Sequence, residues 1–283
     1  TCGSLAIMSI GDSQSHTEIK LKCVLSCYLF VAAFAWFGPF TFSYLPKAFV
    51  YLNAFIYLSF LSLQVLFYHF FFILTQINEN EKFNRWHYAF PVIISLALLI
   101  WSFFVPLEVQ LDIIKARNTY MPEGYESYTR FFFSKPEMRF LYGLIYVTLT
   151  LFRLRKHYHT LNQDSGMVRK PQRWVWFLVL LMLTSLVNSL LGTLLPRKVV
   201  LESYLMIFSV SIIFCQHIVI TYHVIRRQFL LYVVVSEPIK QDKTIATGHI
   251  EPEPADKEKH YDEPLTAKVF EAYIRKEKPY LKK

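Results

Sequence analysis

Three histidines stand in apolar stretches of the chain: His69, His217 and His223. An ionisable ring held among apolar neighbours is a functional suspect, as a metal or haem ligand or as a proton carrier. His217 and His223 are six residues apart, about 240° round a helix, so they do not share a metal-binding face. Ligation would need His69 from another helix, and hydrogen bonding between packed helices is the simpler role for all three. Cys23 and Cys27 share a helix face at i, i+4. No C-x-x-C occurs in the sequence, and the pair reads as two small packing residues. Asn53, Gln64 and Asn188 read as hydrogen-bonding groups between helices. No carboxylate interrupts the long apolar runs, which argues against a proton-coupled pump. A nucleophile elbow, an H-E-x-x-H helix, a P-loop and a glycine-rich dinucleotide turn are all missing, and the 8 glycines do not cluster. These residues indicate no catalytic centre, no metal site and no cofactor, and the chain does not read as an enzyme.

The elements that must carry these residues are membrane helices. Of 283 residues, 54% are hydrophobic and only 18% charged, against about 25% charged in an ordinary soluble domain. Crossing a bilayer takes about 20 apolar residues in a helix. Five runs qualify: Cys23 to Leu45, Ala48 to Gln76, Tyr88 to Leu107, Trp174 to Pro196 and Ser203 to Ile225. A sixth, Phe140 to Phe152, is short between Arg139 and Arg153, but flanking arginines can snorkel and Phe131 to Phe133 could lengthen it. The expected fold is all-α: a polytopic membrane helical bundle of six transmembrane helices. "TCGSLAIMSI" reads as the tail of a further crossing, which would make seven in an intact protein cut here at both ends.

Charge sets the expected orientation. Arg153, Arg155, Lys156, Arg169, Lys170 and Arg173 crowd one connection, the most basic in the chain, so it belongs in the cytoplasm. Alternation then puts Arg226 and Arg227 on the same side, and with them the C-terminus. The protein is expected in the inner (cytoplasmic) membrane, multi-pass, with the lipid bilayer as its first partner. On the other side lies the Glu108 to Arg139 connection, long and without a clear element of its own. Such a loop is often functional, and Tyr120, Tyr125 and Tyr128 make it the candidate surface for an unknown signal ligand. The basic "RLRKHYHTLNQ" suits anionic lipid better than nucleic acid, given its place between two crossings.

Residues 1–232 thus form a transmembrane sensor domain. From Glu237 to Pro264 the chain holds four prolines, eight acidic residues and four lysines, so 233–264 reads as a flexible polar linker. Residues 265–283, "LTAKVFEAYIRKEKPYLKK", have the apolar period of an amphipathic helix. Pro279 ends it.

Within that stretch "KVFEAYIRKEKPYLKK" resembles the lead-in to an AraC-type helix-turn-helix DNA-binding domain. Phe270, Ile274, Pro279, Tyr280 and Leu281, with Glu277 and Lys278, carry the likeness. A subgroup of that family has a six- or seven-helix membrane domain in front, left by an aromatic and basic exit such as "ITYHVIRRQFLLY". The resemblance implies a membrane-anchored transcriptional regulator, with DNA as partner through a C-terminal domain this chain does not contain. The membrane part would sense a signal and control the placement of the DNA-binding modules; a homodimer is one assembly that would present two of them. Two other classes compete. A histidine-kinase-type sensor would use His260, with Asp262 and Pro264 following it, but the apolar dimer helix that chemistry needs is missing around it. A small-molecule transporter would need only residues 1–232.

Overall fold

The computed structural model describes residues 2–11, 16–76, 81–116, 121–165, 168–194, 204–226 and 232–235. These are almost wholly helical. In chain order they form α1 (Cys2–Met8), α2 (His16–Tyr44), α3 (Pro46–Leu74), a 3-10 turn (Arg85–Tyr88), α4 (Ala89–Phe103), α5 (Leu107–Ala116), α6 (Glu126–Ser165), β1 (Val168–Pro171), α7 (Arg173–Leu194), α8 (Tyr204–Ile225) and β2 (Tyr232–Val235).

Local chemistry explains the main breaks. Pro46 follows Leu45 and pushes it out of the helical region, to φ −132° and ψ 62°. The same proline then opens α3 at a position where its missing N–H is harmless. One residue therefore separates α2 from α3, and the two helices run back along each other. Gly38 lets them approach closely: a Cβ there would lie 2.5 Å from Ile56 Cγ2. Pro39 lies inside α2. The nearby Thr41 hydroxyl donates to the carbonyls of Phe37 and Gly38, the back-bonding that lets threonine sit inside a helix.

α3 is the central post, packing against α2, α4, α5 and α6. α7 joins the bundle through α6 and α8, while α1 lies against α2 and α8. Two apolar cores stack along α3. One, near the Pro46 end, gathers residues of α3, α4, α5 and α6 around Leu61, Leu98 and Ile113. The other, near Leu74, adds α2, α7 and α8 around Leu25, Phe71 and Leu178.

Four helical segments are long and apolar enough to cross a membrane: His16–Tyr44, Pro46–Leu74, Arg85–Phe103 and Arg173–Leu191. Their outward faces carry apolar stripes. Val92, Ile93, Leu96 and Ile100 are all about half exposed or more on α4, as are Trp176, Leu180 and Val187 on α7. Monomeric soluble proteins rarely show such contiguous patches, and the arrangement is compatible with a multi-pass membrane protein.

The structure departs from the sequence reading in three places. The Glu108 to Arg139 connection is not an elementless loop: most of it forms α5 and the first turns of α6. α6 begins at Glu126 rather than Phe140 and runs unbroken for 40 residues, about 60 Å at 1.5 Å each. Cys23 and Cys27 are exposed rather than packed inside, because α2 turns Leu21, Leu25 and Leu29 inward instead. The all-α expectation holds among the described residues, beside one short antiparallel ribbon in which Val168 to Pro171 pair with Val235 to Tyr232. Val233 to Val235, expected to open the flexible linker, form part of it; the rest of that linker lies outside the described residues.

Candidate functional site

The face that α6 turns toward α3 is polar along most of its length. Lys135, Arg139, Tyr142, Tyr146, Thr150, Arg153 and His157 recur at steps of three and four residues, the spacing of one helix face. Opposite them, at steps of four and seven residues, stand Asn53, Tyr57, Gln64 and Tyr68 of α3 and Thr75 at its C-terminal cap.

At the Pro46 end this seam holds two cations. Lys135 is 9% exposed, and its Nζ donates to Asn53 Oδ1 at 2.6 Å. The same ammonium stands 3.6 Å from the Phe132 ring centroid and just under 6 Å from those of Phe49 and Tyr57. One turn further, the partly buried guanidinium of Arg139 lies 4.8 Å from the Phe60 ring centroid and donates to Ser189 Oγ of α7 at 3.3 Å. Asn53 and Phe60 sit seven and fourteen residues into α3, about 10 and 20 Å along its axis. If α3 crosses a bilayer, both cations lie at hydrocarbon depth. Contacts with aromatic faces and neutral oxygens lower the cost of holding charge there. Tyr57, 4% exposed, directs its hydroxyl to Met138 Sδ at 3.4 Å.

Above the cations a hydrogen-bonded cluster closes the end of the bundle. Tyr128 OH donates to Gln110 Oε1 at 3.1 Å and lies 3.1 Å from Ser102 Oγ. Gln110 Nε2 donates to the carbonyls of Ser102 and Val105 at 2.8 Å. This network fastens α5 to α4 and α6.

Near Leu74 the seam is anchored differently. Arg153 pairs with Glu81 and donates to the Thr75 hydroxyl at 3.0 Å. His157 Nδ1 lies 3.1 Å from the Thr75 carbonyl. A carbonyl can only accept, so Nδ1 carries the proton. His69 stacks on Phe83, with centroids 3.8 Å apart, and bonds Tyr88 OH at 3.0 Å. His87 Nδ1 bonds Tyr146 OH at 3.0 Å.

The residues singled out from sequence fall as follows. Tyr128 lies in α6 and is buried at 2% exposure, while Tyr125 lies in the connection just before α6 and is partly buried; Tyr120 lies outside the described residues. His217 packs edge-on against Tyr28 and His223 stacks on Trp174 at 4.6 Å. Among the described residues no three of His, Cys, Asp and Glu come together as metal ligands. Of the basic topology residues, Arg153, Arg155 and Lys156 lie in the last turns of α6, Arg173 opens α7, and Arg226 follows α8. Arg169 and Lys170 lie in β1. Arg227, His260 and the whole lead-in stretch, with Phe270, Ile274, Pro279, Tyr280 and Leu281, lie outside the described residues.

Lys135 and Arg139 escaped the sequence reading because a hydropathy run stops at a charge. That placed both in the outer connection. The three-and-four spacing of polar residues from 135 to 157 was the available signal. Compared with protein families, curated proteins and solved structures, the chain matches none.

Proposed function

We propose that this chain is the membrane part of a one-component transcriptional regulator. α2, α3, α4, α6, α7 and α8 are its six crossings, and α1 belongs to a seventh. The seam between α3 and α6 receives a signal at its cationic end. An AraC-type helix-turn-helix domain, led in by residues 265–283, delivers the output in the cytoplasm. The basic residues gathered where α6 ends and α7 begins support that orientation.

One observation carries the reading beyond the sequence motif. The β1–β2 ladder bonds the connection after α6 to the backbone just beyond α8, in register from Val168–Val235 to Pro171–Tyr232. The polypeptide leaving the bundle toward the lead-in stretch is thus tied to the helix that bears Lys135 and Arg139. A shift of α6 has a direct backbone route to the exit. Signalling of this kind requires two states that a ligand binds unequally.

The test is a transcript profile. The gene is deleted, then complemented with the natural sequence or with Arg139→Gln. A common set of transcripts should change on deletion, return with the natural protein and fail to respond with the variant. Unchanged transcripts together with altered uptake of a solute would overturn the reading in favour of transport.

A further inference from the structure

We propose that the Lys135–Arg139 end of the α3–α6 seam binds a carboxylate carried on an apolar body; the inference rests on reading the bundle as a sensor and names the class of its ligand. Arg139 supplies the first argument. A guanidinium has five N–H donors in a planar fork, and here it meets the Phe60 ring and a single serine hydroxyl at 3.3 Å. The fork matches the two oxygens of a carboxylate, which accept a parallel pair of bonds. Neither the Lys22–Glu18 nor the Arg153–Glu81 ion pair involves Arg139.

The second argument is independent of charge. Tyr57 is almost fully buried, and its hydroxyl is directed to the thioether of Met138 at 3.4 Å. Sulfur of that kind is a weak acceptor. A carboxylate oxygen would take the phenolic hydrogen far more strongly, and Tyr57 lies between α3's contacts to Lys135 and to Arg139: its ring is 5.9 Å from Lys135 Nζ, and Phe60 follows one turn on.

The third is the pairing of the cations. Like charges at i, i+4 on a helix repel, more so where the dielectric is low. Lys135 is held by Asn53 and the Phe132 ring, and a bound anion would relieve the repulsion that remains. The rings beside the two cations, Phe49, Phe60 and Phe132, favour an aryl or alkyl body over a sugar or a phosphate ester as the rest of the ligand. Such a carboxylate has two sources, water-borne as benzoate or membrane-borne as a fatty acid.

The experiment uses the full chain in zwitterionic nanodiscs. Binding is followed by thermal shift and by calorimetric titration of benzoate and benzamide, and by thermal shift with laurate or lauramide in the bilayer. At least one carboxylate should bind about tenfold or more tightly than its neutral amide, the size expected for a charge-assisted bond pair. Arg139→Gln should abolish the preference, and Tyr57→Phe, which keeps the ring, should weaken it. The proposal is overturned if acid and amide bind alike, if neither acid binds, or if folded Arg139→Gln and Tyr57→Phe both retain the preference. The two readings separate cleanly. A carboxylate that binds but leaves transcripts unmoved defeats the regulator and keeps the site. Transcripts that depend on Arg139 without any carboxylate binding defeat the ligand class and keep the regulator.

Discussion

Arg153 of α6 and Glu81 of the α3–α4 connection form an ion pair at the Leu74 end of the bundle, and the same guanidinium donates to the hydroxyl and the carbonyl of Thr75. One side chain thus joins α6 to the end of α3 and to the segment that leads into α4.

Removing the carboxylate should loosen that end. Arg153 is 10% exposed and Glu81 25%, so solvent screens the pair only in part. Glu81→Gln is expected to destabilise the bundle by about 1–3 kcal/mol, below the range for fully buried pairs. The measurement is the unfolding midpoint in detergent. An unchanged midpoint would mean that the pair adds nothing to the fold.

Gly38→Ala tests the α2–α3 contact. The new methyl would sit 2.5 Å from Ile56 Cγ2, and overpacking of this kind costs about 1–3 kcal/mol. Ile56→Ala removes that carbon, so the double variant should recover part of the loss. If Gly38→Ala alone is as stable as the natural protein, the two helices do not approach as closely as described.

Lys135 and Asn53 should behave as a coupled pair. Each single change, Lys135→Met or Asn53→Leu, takes one hydrogen-bond partner from a buried group, at a cost of about 1–3 kcal/mol. The double change removes both and should cost clearly less than the two added together. Strict additivity in the unfolding measurements would show that the 2.6 Å bond contributes no coupling.

The ribbon makes a register prediction. With the four natural cysteines replaced, Arg169→Cys with Val234→Cys should crosslink on mild oxidation, because the two are ladder partners at about 4.5–5.5 Å between Cα atoms. A pair two positions out of register, Val168→Cys with Val233→Cys, should not. Equal crosslinking of both pairs would mean that the ladder has no single register.

Orientation is tested in the same background. Gly124→Cys, just before α6, should react with an impermeant maleimide on intact cells. Arg155→Cys, near its other end, should react only after permeabilisation. The reverse pattern would turn the basic connection outward and leave the DNA-binding reading without access to DNA.

The positions of the main helices were legible in the chain itself. Apolar runs, the Leu45–Pro46 break and the polar stretches between runs are local signals, and α2, α3, α4, α7 and α8 lie where those signals put them, within a few residues at most ends. The lead-in motif, too, is a matter of sequence, and its support remains the residues from Phe270 to Leu281. Hydropathy could not say which side of a helix faces its neighbours. Lys135 and Arg139 look in sequence like the water-facing end of a loop. They become interior groups only because α6 starts early and packs against α3, so that Asn53 and Phe60 of α3, Phe132 of α6 itself and Ser189 of α7 receive them. Tyr128 likewise changes from a loop tyrosine to a buried hydrogen-bond donor once α6 starts at Glu126 and Gln110 of α5 meets its hydroxyl. A charge's depth depends on partners contributed by helices far away in the chain, and that dependence is set by packing.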